Sequence, residues 1–199
     1  MYNLKISIMK KIVYSIMLVL FVNLTVVAQN IVIAEQPKTV DDFITMRNAI
    51  ATSPEGGAAM FLLALKIYAD NPKLGEKCLV IAVHKSLLKE GKTYKGYKLA
   101  DEDMDLIKRN IENNKLIPNS YIVGATPENG YSVKLPYEYD LSVNLIGKGE
   151  AGTKVMVKSS GASNKRAVFV KKNNRGYWKA TVWTTVLADI KPPAEDDDL

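Results

Sequence analysis

Cysteine and histidine occur once each in the 199 residues, as Cys78 and His84, and the two scarcities exclude most familiar chemistries. One cysteine forms no internal disulfide, so the core alone must hold the chain together. One histidine leaves a zinc site short of ligands and gives any Ser–His–Asp arrangement a single candidate base. Cys78 and His84 are six positions apart, about 240° around a helix, so they do not face each other as nucleophile and base. Cys78 reads as a small core residue and His84 as a surface or loop-facing one. Gly147-Lys148-Gly149-Glu150-Ala151-Gly152 has no helix after it, which removes the dinucleotide reading. The lysines are scattered, without the dense arginine and aromatic pattern of a nucleic-acid groove, so they read as solvated faces and no nucleic-acid partner is expected. Asp101, Glu102, Asp103 and Asp105 open a helix, where they cap it and offset its dipole rather than build a carboxylate site. No catalytic residue, metal or cofactor is expected.

Long apolar runs are also missing, except at the N-terminus. Met9-Lys10-Lys11 is followed by the apolar stretch Ile12 to Leu20 and by small residues at Val26 and Ala28. This is the pattern of a secretory signal peptide over residues 1–28, cut after Ala28. Its length, near the lower limit for a bilayer span, leaves an uncleaved anchor as the alternative. Cys78 is far from the cut, so no lipid-anchor cysteine stands next to it. Export to the periplasm, cell surface or medium is the expected localisation, with no membrane span after cleavage. Removing Lys5, Lys10 and Lys11 with no acid takes the net charge from +6 to +3.

What is present is one stretch that the rest must surround. Ser53-Pro54-Glu55 starts a helix with an N-cap, a proline at the first position and an early carboxylate. From Ala58 to Ala69 only Lys66 is charged. A helix apolar on nearly every face needs cover on all sides, and 12 residues are too few to cross a bilayer. Gly56-Gly57 at its head would admit an anion to free backbone N–H groups, but Glu55 opposes this, and close helix packing is the better reading. Before it, Thr39 caps a one-sided helix that ends near Thr52. After Asp70-Asn71-Pro72, a third helix is expected over Leu74 to Glu90 with Gly91 as terminator; its middle, Cys78 to His84, also suits a buried strand. Gly91 to Tyr97 reads as a loop. Asp101 is expected to cap a fourth helix ending at Asn113-Asn114.

From Pro118 the character changes. Thr126-Pro127 and Asn129-Gly130 are turn signals in a loop-rich connector. Leu141 to Leu145, Lys154 to Lys158, Arg166 to Lys172 and Tyr177 to Thr185 then read as strands, the last two joined by the turn Asn173-Asn174-Arg175-Gly176. The expected class is α+β: an N-terminal group of about four helices, then an antiparallel meander of about five strands packed on it. The expected layout is a single domain over 29–190, with a helical part at 39–115, a connector at 116–139 and a β part at 140–188. Residues 191–199, with Pro192-Pro193 and four acids, read as a disordered tail.

Three stretches carry a resemblance: Ser53-Pro54-Glu55-Gly56-Gly57-Ala58-Ala59, then Ile117-Pro118-Asn119-Ser120-Tyr121 with Gly124 to Tyr131, then Lys172-Asn173-Asn174-Arg175-Gly176-Tyr177-Trp178-Lys179-Ala180. Together they resemble a family of exported Bacteroidota proteins classed only as a domain of unknown function. The resemblance implies an envelope or secreted location and brings no catalytic residues with it. The strand with Trp178 is also similar to the closing strand of small NTF2-like cones, although four helices ahead of the sheet depart from that group's order.

The remaining functional signal is a set of loop-borne tyrosines: Tyr94, Tyr97, Tyr121, Tyr131, Tyr137 and Tyr139. Tyrosine offers a rigid apolar ring and a polar tip, which suits a protein, peptide or glycan surface. The alternative role for these rings is to seal the seam between helices and sheet. The expected function is therefore a non-catalytic binding or interaction module of the cell envelope. The alternative is a hydrolase of a small molecule or cell-wall fragment, using loop carboxylates such as Glu128 and Glu138.

Overall fold

The computed structural model describes residues 29–145 and 151–195. The expected signal peptide, the separator Gly147-Lys148-Gly149 and residues 196–199 of the tail lie outside the described residues.

The described residues open with a strand, β1 (Gln29–Ile33), in place of the expected polar lead-in. Ile31 and Ile33 supply the alternation that the lead-in concealed, and Ile33 is buried. Helix α1 (Val40–Ile50) starts in a capping box: the Asp42 N–H donates to the Thr39 hydroxyl at 3.1 Å, and the Thr39 N–H donates to the Asp42 carboxylate at 2.9 Å. Helix α2 (Pro54–Asp70) is capped by Ser53, whose hydroxyl accepts from the Gly56 N–H at 3.1 Å. Asn71 then ends α2 and caps α3 (Pro72–Ala82), accepting from the Leu74 N–H. One residue thus serves two helix ends, which folds α3 sharply back onto α2.

Helix α3 stops at Ala82 rather than at Glu90. Val83 leaves in an extended conformation and bridges Ala180 in parallel, and the His84 N–H donates to the Ala180 carbonyl at 2.9 Å. A backbone pairing at the sheet edge outweighs the helical propensity of residues 84–90. The residues read as helix end and loop form a hairpin of β2 (Leu88–Tyr94) and β3 (Tyr97–Leu99). Lys95 and Gly96 both have positive φ, 46° and 83°, as a tight hairpin turn requires. Gly91, expected to stop a helix, lies inside β2, where a Cβ would come within 2.4 Å of the Lys98 side chain. Helix α4 (Asp101–Asn113) already includes Asp101, the residue expected to cap it. Ala100 occupies the cap position without a side-chain bond, and Asp101, in the first turn, pairs with Lys98 at 2.6 Å.

The remaining strands are β4 (Tyr137–Leu145), β5 (Thr153–Val157), β6 (Arg166–Lys172) and β7 (Trp178–Val182). They form an antiparallel meander, and β1 adds to its free side, giving the order β1-β4-β5-β6-β7. The fold is α+β, with the four α-helices of the described residues ahead of the meander. Along β5 burial alternates: Thr153, Val155 and Val157 face inward and Lys154 and Met156 outward. The inner face packs on α2, every residue of which from Gly56 to Ala69 is buried.

Gly56 and Gly57 are where α2 meets its neighbours most closely. A Cβ on Gly56 would lie 1.8 Å from the Ile50 carbonyl oxygen, and one on Gly57 would lie 2.6 Å from Trp178 Cβ. The Trp178 N–H meanwhile donates to the Ala51 carbonyl at 2.8 Å, so the start of β7 is fastened to the α1–α2 corner. Lys66, the single cation of α2, is 6% exposed and has its Nζ 2.5 and 2.7 Å from the two Asp70 oxygens. Gln36 donates to the same carboxylate and accepts from the Tyr137 hydroxyl at 2.8 Å. The buried charge is thus paired and hydrogen-bonded, as its burial requires.

Alanine at Gly57 gains helix propensity of about 1 kcal/mol but forces Trp178 and the β7 backbone outward. We expect Gly57→Ala to lose about 2 kcal/mol of net stability in urea denaturation. An unchanged or higher midpoint would contradict the close approach.

Candidate functional site

The connector, where the sequence places most of its tyrosines, folds into two short 3-10 turns, Pro118–Tyr121 and Pro127–Asn129. Asn129 organises the second turn: its Oδ1 accepts from the Thr126 N–H and its Nδ2 donates to the Gly124 carbonyl. This geometry turns the tyrosines inward. Tyr121, Tyr131 and Tyr139 are at most 1% exposed, and Tyr137 is also buried.

Two of these rings grip the chain's own C-terminal segment. The Tyr121 hydroxyl donates to the Val186 carbonyl at 2.9 Å and accepts from Arg166 Nη1 at 2.9 Å. Arg166 also donates to the Ala188 and Asp189 carbonyls. The Tyr131 hydroxyl donates to the Lys191 carbonyl at 2.7 Å, and the Lys191 N–H donates to the Gly161 carbonyl. The Ala194 N–H donates to the Pro127 carbonyl at 2.9 Å. The disorder expected from residue 191 therefore does not begin there; the segment is held as far as Ala194. Burial pushes the Tyr121 phenol up to about 12 and raises Tyr131, Tyr137 and Tyr139 in the same direction. In this conformation the four rings face the protein itself and offer no contact surface.

Glu128 lines an open groove with Thr126, Ser160 and Lys191. Its own backbone N–H, and then the Thr126 hydroxyl, hold its carboxyl below the usual range. A carboxylate kept ionised in this way is a poor proton donor. Glu138 accepts from Asn30 Nδ2 across β1 and β4 at 2.5 Å. Cys78 is fully buried and its thiol is pushed up to about 12 by burial, which makes it inert as a nucleophile. Among the described residues no group of three or more His, Cys, Asp and Glu is arranged to hold a metal ion.

Tyr94 and Tyr97 are placed differently. They sit opposite each other across the β2–β3 hairpin and are partly exposed. Lys95 Nζ is 5.5 Å from the Tyr94 ring centroid, and Lys85 Nζ is 5.2 Å from that of Tyr97. A shallow depression of about 570 Å³ lies beside them, lined by Glu90, Gly91, Lys92, Lys95, Gly96 and Tyr97. Tyr94 and, beside the β6–β7 turn, Tyr177 both act on the Arg47 charge, and the Arg47 guanidinium lies 4.6 Å from the Tyr177 ring centroid. Sequence reasoning missed Arg47, Lys85, Tyr177 and Lys179. Their spacing along the chain carries no signal, because α1, the α3–β2 link and β7 come together only in the fold.

Residues 35–194 match the family model of a domain of unknown function, DUF6935. The chain belongs to that family. The matched region starts after β1 and runs to Ala194, so it includes the whole tyrosine clamp on the C-terminal segment. No curated protein and no solved structure matches the chain.

The clamp makes a contrast between two phenols. The Tyr131 hydroxyl holds Lys191, whereas the buried Tyr139 hydroxyl has no hydrogen-bond partner among the described residues. We expect Tyr131→Phe to lose about 1 kcal/mol in denaturation and Tyr139→Phe to be neutral or stabilising. Equal losses at both positions would contradict this placement.

Lys179 makes a pH prediction. Burial, and then the Arg47 charge, push its ammonium down to about 8 from 10.5. Arg47 on α1, Lys171 on β6 and His84 in the α3–β2 link surround it, while its Nζ donates to the Ile81 carbonyl at the end of α3. Between about pH 8 and 10 the unfolded chain holds a proton that the folded one has released, so stability rises with pH; above about 10 the buried tyrosines reverse the trend. Urea midpoints measured across that window should rise, and Lys179→Met should flatten the rise. A wild-type midpoint that falls throughout the window would show that Lys179 is not half-buried against Ile81 and Arg47 as described.

Proposed function

We propose that this protein is a non-catalytic binding module exported to the cell envelope. Its contact surface is the hairpin that carries Tyr94 and Tyr97. The observation that carries the reading is the hairpin itself. Two tyrosines stand opposite each other on a two-stranded sheet separate from the main one, with Lys85 and Lys95 over their rings and Lys92 beside them. Aromatic faces flanked by cations suit a partner that presents acidic groups, on a protein, a peptide or a glycan. Lys10-Lys11 and the apolar run after them support export. No helix among the described residues is long and apolar enough to cross a membrane.

The hydrolase alternative has weaker support, because Glu128 is held ionised and exposed and Glu138 is engaged by Asn30. The test uses protein recovered from the envelope fraction, where Gln29 at the N-terminus checks the cut after Ala28. Retention of a partner from envelope extract should weaken as salt is raised. It should be lost in the Lys92→Glu, Lys95→Glu double variant, whose melting temperature stays that of the wild type. Retention unaffected by both salt and charge reversal would remove the hairpin from the interface.

A further inference from the structure

Lys171 and Lys179 are direct cross-strand partners on β6 and β7. Like charges set opposite each other in a sheet repel, whereas a carboxylate at one of the two positions would attract. Here the surroundings add more positive charge. Lys179 feels Arg47, Arg47 feels Arg175, and both lysines act on His84. The ion pairs among the described residues are Lys66–Asp70, Lys98–Asp101 and Lys165–Asp140, and none of them reaches this cluster.

The cluster is not simply a solvated face. Lys179 Nζ is directed at the Ile81 carbonyl, which fixes its position and, among the described residues, leaves two of its three N–H groups unspent. Arg47 is stacked on Tyr177 and spends only Nε, on Asn48, so its outer N–H groups remain available among the described residues. A guanidinium held over a ring by a cation–π contact has less freedom to lose when it bonds an oxyanion in two-pronged fashion. The turn that carries Arg175 is also built: Asn173 Oδ1 accepts from the N–H groups of both Arg175 and Tyr177.

We propose that the surface between Arg47, Lys171, Arg175 and Lys179 binds a phosphate or sulfate group, either as the free ion or as a substituent on a larger ligand. The oxyanion takes the place of the missing carboxylate and turns the repulsion between β6 and β7 into attraction. Arg47 supplies the fork, the two lysines supply point charges, and the Tyr177 ring lies beneath the fork. The inference uses α1, β6 and β7, so it stands or falls separately from the hairpin reading.

The test is a thermal-melt and calorimetric titration of the whole protein with inorganic phosphate and sulfate, against chloride at equal ionic strength. The expected result is a saturable rise in melting temperature with either oxyanion and none with chloride. Arg47→Gln and Lys171→Gln should each weaken phosphate binding at least tenfold. Lys171→Gln should also melt higher than the wild type in chloride, since it removes the like charge opposite Lys179; this shows that a lost response is not lost folding. Lys165→Gln, in the Asp140 pair, should bind phosphate as the wild type does. A phosphate monoester bound more tightly than inorganic phosphate would identify a substituent as the natural group, and equal binding would identify the free ion. An oxyanion response no larger than that of chloride, or one that survives both Arg47→Gln and Lys171→Gln, would overturn the proposal.

Discussion

Every residue of α2 between Gly56 and Ala69 is buried, and this burial dictates where the other elements go. A helix with one apolar stripe needs one neighbour, whereas a helix apolar all round must be enclosed. Helix α3 covers one side of α2, α1 packs against its start, and the inner face of the five-stranded sheet takes the rest. The close contacts come from the same demand. Glycine at 56 and 57 lets the Ile50 carbonyl and Trp178 approach within distances that a Cβ would forbid. The Trp178–Ala51 hydrogen bond then ties the last strand to the first helical corner. Residues 51 and 178 are thus neighbours because the N-terminal turn of α2 must be covered from both sides.

The helices with strong local signals were legible in the sequence. Ser53-Pro54, the Thr39 box and the apolar run of α2 are decided within a few residues, and so is the four-residue turn at Asn173–Gly176. Elements decided by distant partners were not. The segment Val83 to Glu90 has the composition of a helix end, but Val83 and His84 leave α3 because Ala180, far along the chain, offers them a backbone edge. Residues 29–33 look like a lead-in until β4 supplies the partner for Ile31 and Ile33. In both places a lone segment has too few apolar positions to declare its state.

The tyrosines show the same limit at the level of function. Position in a connector says that a ring is near a loop, but not which way the loop turns. Asn129, Gly130 and the left-handed backbone at Tyr131 decide that direction, and they point the rings into the seam. Tyr121 and Tyr131 then bind carbonyls of residues 186 and 191, so the chemistry read as recognition of a partner is spent on the chain's own C-terminal segment. Tyr94 and Tyr97 stay partly exposed because their hairpin forms its own small sheet, which packs on the core through Leu99 while the two rings are only half covered.

The basic face beside that hairpin raises a different question, since stability alone does not explain it. Lys179 has a structural role, because its ammonium meets a terminal carbonyl of α3, where the helix dipole favours a cation. That role does not require Lys171 across from it, nor Arg47 within reach of its charge, nor Arg175 within reach of Arg47. A threonine or glutamate at 171 would keep the strand and ease the repulsion. Surface repulsion of this kind costs the fold a fraction of a kcal/mol per pair, and it is relieved when an anion is bound. Strand pattern, core packing and turn chemistry agree throughout β6 and β7, and charge alone disagrees. Such isolated disagreement is where a ligand belongs, because the ligand supplies the missing charge.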